Sequence, residues 1–150
     1  MNIHENVKQV VPFFNVSDME RSLRFYLDGL GFTMKHQWTP DGTIRWCWLT
    51  LGGADLMLQQ FRTEGHDSWK PSGKVGEGVS LWFTCADAVA IYHDLRARGI
   101  DASEPQVGNG LWDTVLHDPD GFRLHFESPT DVPEETEYTE GMELSTSAAK

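Results

Sequence analysis

The segment HDPDGFRLHFES, His117 to Ser128, places two imidazoles and three carboxylates within one short stretch. Such a set could ligate a divalent metal. It could equally supply an acid–base pair, or be a strand whose histidine happens to face a cavity. Residue types leave all three open, and spacing goes further. Asp118, Pro119, Asp120 and Gly121 carry the residues of a tight turn. The strand that follows alternates, with Phe122, Leu124 and Phe126 on one face and Arg123, His125 and Glu127 on the other. The turn residues are therefore assigned to chain reversal, with His117 on the helix-facing side, and His125 and Glu127 are kept for chemistry. Among the other histidines, His93 falls within a helical pattern and His66 in a polar stretch, where solvent exposure is expected. His4 and His36 complete the set.

The elements that must position His125 recur in the chain. QVVPFFNV reads as a strand, SDMERSLRFYLDGLGF as a helix capped by Ser17 or Asp18, and TMKHQW, TIRWCWLTL and DLMLQQF as three strands. Leu23, Tyr26, Leu27 and Leu30 form the helix's apolar stripe. After the polar stretch 62–78 the order repeats: VSLWFTC, the helix ADAVAIYHDLRARG, then IDASEPQ, LWDTVLHD and FRLHFES. Phe14 matches Phe83, Asp18 matches Asp87, Gly31 matches Gly99 and Gly53 matches Gly121, at a nearly constant offset. The pattern predicts an α+β fold of two βαβββ modules, 8–61 and 79–128, joined by a linker 62–78 and followed by an acidic tail 129–150. The tail is expected to be an arm or disordered. Together the modules should form a curved, open mixed sheet with the helices on its convex side.

Strand alternation then selects what the other face presents. A turn at Pro119-Asp120 would set Thr114 opposite His125 and Trp112 opposite Glu127. A turn at Leu51-Gly52 would set Trp46 opposite Met57 and Trp48 opposite Asp55. The concavity is then lined by Phe13, Trp46, Trp48, Met57, Trp82, Trp112 and His125, with Asp55 and Glu127 at its edge. A one-residue slip would turn a whole strand over. Tryptophans at these positions suit a small-molecule site, and they equally suit a core or a dimer interface built around Trp46-Cys47-Trp48.

Composition narrows the classes. The formal charge of −11 opposes nucleic-acid binding. Six acids and one base in 129–150 account for nearly half of it. No apolar run reaches the roughly 20 residues of a membrane span, and the start MNIHENVKQV carries no secretory pattern. Cys47 and Cys85 are the two cysteines, expected as reduced thiols in a cytoplasm.

The paired modules, VSDMERSLRFYLDGLGF after the first strand and HDPDGFRLHF before the last resemble the vicinal oxygen chelate superfamily. That group includes glyoxalase I, extradiol dioxygenases, and fosfomycin and bleomycin resistance proteins. The resemblance covers about residues 8–128. It implies that metal-dependent relatives take ligands at positions that here hold Val11, Met57, Ser80 and His125, of which only His125 is a good donor. It therefore points to the metal-free bleomycin-resistance branch, with Pro12 in a VPxxxVxD-like start and His125-Phe126 on the last strand. That branch implies no metal or cofactor, and a homodimer with its cleft between subunits and its first strands sometimes exchanged. Its ligand would be a flat, cationic small molecule, stacked on tryptophans and attracted by Asp55 and Glu127. The alternative is a glyoxalase/dioxygenase-like enzyme, a lyase or isomerase, either with a non-standard metal site or with His125 as general acid or base and Glu127 or Asp113 as its partner.

Overall fold

The computed structural model describes residues 1–142 and 144. The last part of the acidic tail, residue 143 and residues 145–150, lies outside the described residues. A short helix α1 (Ile3–Asn6), closed by a capping box between Asn2 and Glu5, precedes the first module. Strand β1 covers Phe13–Val16, because Pro12 has no N–H to give a ladder. Helix α2 (Met19–Leu23) begins where the Asp18 carboxylate accepts the Arg21 N–H. It continues as a π-helical segment, Arg24–Gly29, which turns Tyr26 inward. Strands β2 (Thr33–Trp38), β3 (Trp46–Leu51) and β4 (Ala54–Gln60) complete the module. Its sheet runs β1-β4-β3-β2, with β1 parallel to β4.

The second module repeats the plan. Strand β5 (Ser80–Thr84) leads to helix α3 (Ala88–Ala97), whose N-cap Asp87 accepts from the Ala90 N–H as Asp18 does in the first module. Strands β6 (Gln106–Gly108), β7 (Leu111–His117) and β8 (Arg123–Pro129) follow, in the order β5-β8-β7-β6 with β5 parallel to β8. The α+β fold thus consists of two open four-stranded mixed sheets rather than one continuous sheet. Segment IDASEPQ contributes little strand, since β6 begins only at Gln106.

One face of each sheet supplies a common core. Phe14, Val16, Leu49, Leu56 and Leu58 from the first join Leu116, Phe122, Leu124 and Phe126 from the second. The modules are locked at the turn Asp118–Gly121. Phe14 stacks on Phe122 with ring centroids 3.7 Å apart, and the buried Tyr26 hydroxyl donates to Asp118 at 2.7 Å. Ser17 donates to Asp120 from both backbone and side chain. The carboxylates of this turn hold the two halves together, which gives its acidic residues a structural role.

Two registers differ from those expected. The first-module hairpin turns on Gly52-Gly53, with Gly52 at φ 55°, so Trp48 faces Met57 and Trp46 faces Gln59. This shift of two preserves the faces. The second hairpin closes through a three-residue loop, Pro119 to Gly121. Gly121 sits at φ 88°, and Asp118 N donates to the Phe122 carbonyl. The extra residue turns β7 over. His125 faces Val115, Glu127 faces Asp113, and Trp112 faces Ser128.

Far from trailing free, part of the tail packs against the second module. Tyr138 N donates to the Pro105 carbonyl, and its ring meets Trp112 edge-on at 6.1 Å.

Candidate functional site

The overturned strand reassigns several side chains. Trp112 is 4 % exposed and belongs to a small core with Ala88, Val89, Val107 and Tyr138, so it does not line the concavity. Thr114 likewise points at α3, where its hydroxyl donates to the Ala88 carbonyl and so cannot reach His125. His117 pairs with Arg123 and is exposed on the outer face, not the helix-facing one. In their place the outer face gains Asp113 and Val115.

On that face the second sheet builds a compact polar group. The His125 ring lies beneath Trp82, with centroids 4.4 Å apart and planes within 9°. Its Nδ1 is 3.1 and 3.0 Å from the two oxygens of Asp113. Glu127 stands directly across the ladder from Asp113. Donor atoms of Asp113, His125 and Glu127 all lie within 4.8 Å of one another. His125 is 5 % and Glu127 7 % exposed, whereas Trp82 is 58 % exposed and leaves its other ring face open. Burial first, and the neighbouring Asp113 carboxylate second, push the Glu127 carboxyl above its ordinary range, against a downward pull from His125.

The equivalent positions of the first sheet hold a different chemistry. The pair Phe13–Met57 occupies the place of Trp82–His125, and Trp48 and Trp46 take those of Val115 and Asp113. Phe13 is 47 % exposed. Lys35 already sits over Trp48, with Nζ 4.7 Å from the ring centroid, and 3.9 Å from Asp55. Asp55 also accepts from Gln9 at 2.7 Å. So Asp55 is engaged by its own chain and stands apart from Glu127. Asp55 and Trp82 do border one groove between the modules, of about 920 Å³, whose walls include Leu81, Phe83, Leu95 and Arg98.

Asp113 is missing from the groove lining expected from sequence. The signal for it was present: Pro-Asp-Gly suits a type I turn followed by a left-handed glycine, and that loop carries one more residue than a two-residue hairpin turn.

The four positions that hold metal in metal-dependent relatives do not fit an ion here. Val11 has no donor atom, Met57 packs between Phe13 and Trp48 in the ladder, and Ser80 pairs with Arg123. No ion can be held by His125 and a poor donor alone.

A sequence profile described as the Glyoxalase/Bleomycin resistance protein/Dioxygenase superfamily matches residues 7–126. The chain belongs to that superfamily. Its fold is shared with TnmS3, an antibiotic binding protein from Streptomyces sp. CB03234, at 23 % identity and a TM-score of 0.64, over 83 % of this chain and 98 % of that one. TioX from Micromonospora sp. ML1 is similar at 20 % identity and a TM-score of 0.65, over 82 % and 99 % of the two chains. A bleomycin resistance determinant encoded on the transposon Tn5 is similar at 20 % identity and a TM-score of 0.63, over 82 % and 98 %. No curated protein matches the chain. Among the described residues no helix is long and apolar enough to cross a membrane.

Proposed function

We propose that this protein binds and sequesters an aromatic, cationic small molecule, in the manner of an antibiotic-binding resistance protein, without needing a resident metal. The observation that carries the reading is the open face of Trp82, backed by His125 and flanked by the Asp113 and Glu127 carboxylates. A flat ring stacks on the exposed indole, and a cationic group meets the acidic pair. The folds of TnmS3 and of the Tn5 determinant, described as an antibiotic binding protein and a bleomycin resistance determinant, support the same class.

In this reading the working unit is a homodimer. Phe13, Trp38 and Trp82 are large apolar side chains left exposed in a single chain. A second copy that sets the apolar face of one module against the acidic face of the other would cover them and close a cleft. Phe13, Trp46, Trp48 and Met57 then form the stacking wall opposite Trp82, His125 and Glu127. A cytoplasmic setting fits the free thiols of Cys47 and Cys85.

The test is titration of tryptophan fluorescence with bleomycin and with a panel of flat cationic compounds. Saturable quenching is expected for at least one, together with a dimer by sedimentation. A flat response across the panel defeats the reading.

A second reading is favoured by one observation, the 3.0 Å contact between His125 Nδ1 and Asp113. A carboxylate that fixes the imidazole tautomer is the arrangement of a general base. On this view the protein is a glyoxalase-like lyase or isomerase, and turnover of a candidate substrate would be lost in Asp113→Ala.

A further inference from the structure

Asp113 and Glu127 face one another directly across the β7–β8 ladder. Like charges at such a position repel and destabilise a sheet. Glu127 is 7 % exposed, yet its carboxylate accepts no hydrogen bond from any described residue. His125 gives its facing nitrogen to Asp113 and reaches Glu127 only through space, a pull that does not offset burial and the neighbouring Asp113 carboxylate. A carboxylate on a residue only 7 % exposed, without a hydrogen-bond donor among the described residues and within 4.8 Å of a second carboxylate and an imidazole, marks a place suited to receive positive charge.

We infer that Asp113, His125 and Glu127 bind one divalent transition-metal ion, at a site contained in the second module and sharing only His125 with the positions that hold metal in relatives. Two donors about 2.1 Å from one tetrahedral ion stand about 3.4 Å apart. His125 Nδ1 and Asp113 lie 3.0 Å apart as a hydrogen-bonded pair, and the three donors lie within 4.8 Å of one another, so the ion enters as the imidazole proton shifts to Nε2 and Glu127 is drawn inward. An imidazole with two carboxylates selects Zn²⁺, Co²⁺ or Ni²⁺ over Mg²⁺ or Ca²⁺, whose sites are built from oxygen donors alone. Three protein donors leave coordination positions for water or for a chelating ligand. Asp113, half-buried at the edge of the group, gives the ion its way in. The inference goes beyond the aromatic-ligand reading and does not depend on it. An ion here would neutralise the acidic pair and so compete with a cationic ligand.

The test uses untagged full-length protein stripped with chelator, titrated with Zn²⁺ against a chromophoric competitor and with Co²⁺ by visible absorption. One ion per chain is expected. Glu127→Gln, which preserves shape, and Asp113→Asn should each weaken it by roughly tenfold or more, while His66→Ala leaves it unchanged. Trp82→Ala separates the two ideas, since it should lose aromatic ligands and keep the metal. The inference is overturned if the native chain binds no Zn²⁺, or if Glu127→Gln and Asp113→Asn bind it as tightly as the native chain. Circular dichroism of each variant checks that the fold is retained. Should Glu127→Gln fail to fold, Asp113→Asn alone decides, because its side chain is the more exposed.

Discussion

The Trp82 indole lies flat on the His125 imidazole, 4.4 Å between centroids and 9° between planes. The two residues are partners across the parallel β5–β8 ladder, so the stack is fixed by backbone register as well as by ring contact. The arrangement shields one face of the imidazole and leaves the indole's opposite face to solvent. Truncating Trp82 should therefore remove binding surface at little cost to the fold. Trp82→Ala is expected to weaken a flat ligand at least about tenfold, and to lower stability by no more than about 1 kcal/mol, the size of one aromatic pair at a half-exposed position. Calorimetric titration and thermal melting measure the two effects. A large loss of stability would mean that Trp82 serves the core.

Asp113 fixes what His125 can do. With Nδ1 held 3.0 Å from the carboxylate, the neutral imidazole carries its proton on Nδ1 and leaves Nε2 bare. Nitrogen-15 NMR of metal-free protein should find that tautomer in the native chain and a redistribution toward the other in Asp113→Ala. An unchanged tautomer ratio would show that another group orients the ring.

How far the sequence led can be judged at these same residues. The helix caps Asp18 and Asp87 and the constant repeat offset were readable because each is a local signal. The faces of β3 and β4 were also readable, since a register error of two leaves alternation intact. The face of β7 was not. Its orientation depends on one extra loop residue at Gly121, and period-two alternation turns that residue into an inversion of the whole strand. Trp112 thereby moved from the groove to the core, and Asp113, outside the expected lining and named only as a partner for His125 in the enzyme alternative, joined the outer face. The engagement of Asp55 by Gln9 and Lys35 was beyond the sequence for another reason: it joins residues distant along the chain that no periodicity relates.

Glu127 gives a pH signature. Its carboxyl is raised in the folded protein, so the folded state binds that proton more tightly than the unfolded chain does. Its stabilising contribution is fully present below the unfolded value, near 4.5, and is lost as pH rises through the raised folded value. Above that, the ionised group is a net cost. Glu127→Gln should then melt higher than the native chain in metal-free buffer at about pH 7.5, and the gap should close as pH falls below about 4. A variant that melts lower at neutral pH would place a favourable partner on Glu127.

The lock between modules rests on Tyr26 and Asp118. The Tyr26 hydroxyl is the donor to Asp118 Oδ2, while the backbone N–H groups of Asp120 and Phe122 satisfy Oδ1. Burial is the largest influence on Asp118 and raises its pKa, with the Tyr26 hydrogen bond next and opposing. Tyr26→Phe removes that donor and leaves a buried carboxylate oxygen unpaired, a loss of about 1–3 kcal/mol. The sign with pH follows from the same balance. Without the hydroxyl the folded pKa of Asp118 climbs further, so the penalty is largest where Asp118 is ionised and shrinks when acid protonates it. Urea denaturation of both proteins at about pH 7 and about pH 4.5 measures this. A deficit below about 0.5 kcal/mol, or one that does not change with pH, would mean that the modules are held by the Phe14–Phe122 stack and the shared apolar core without help from the turn.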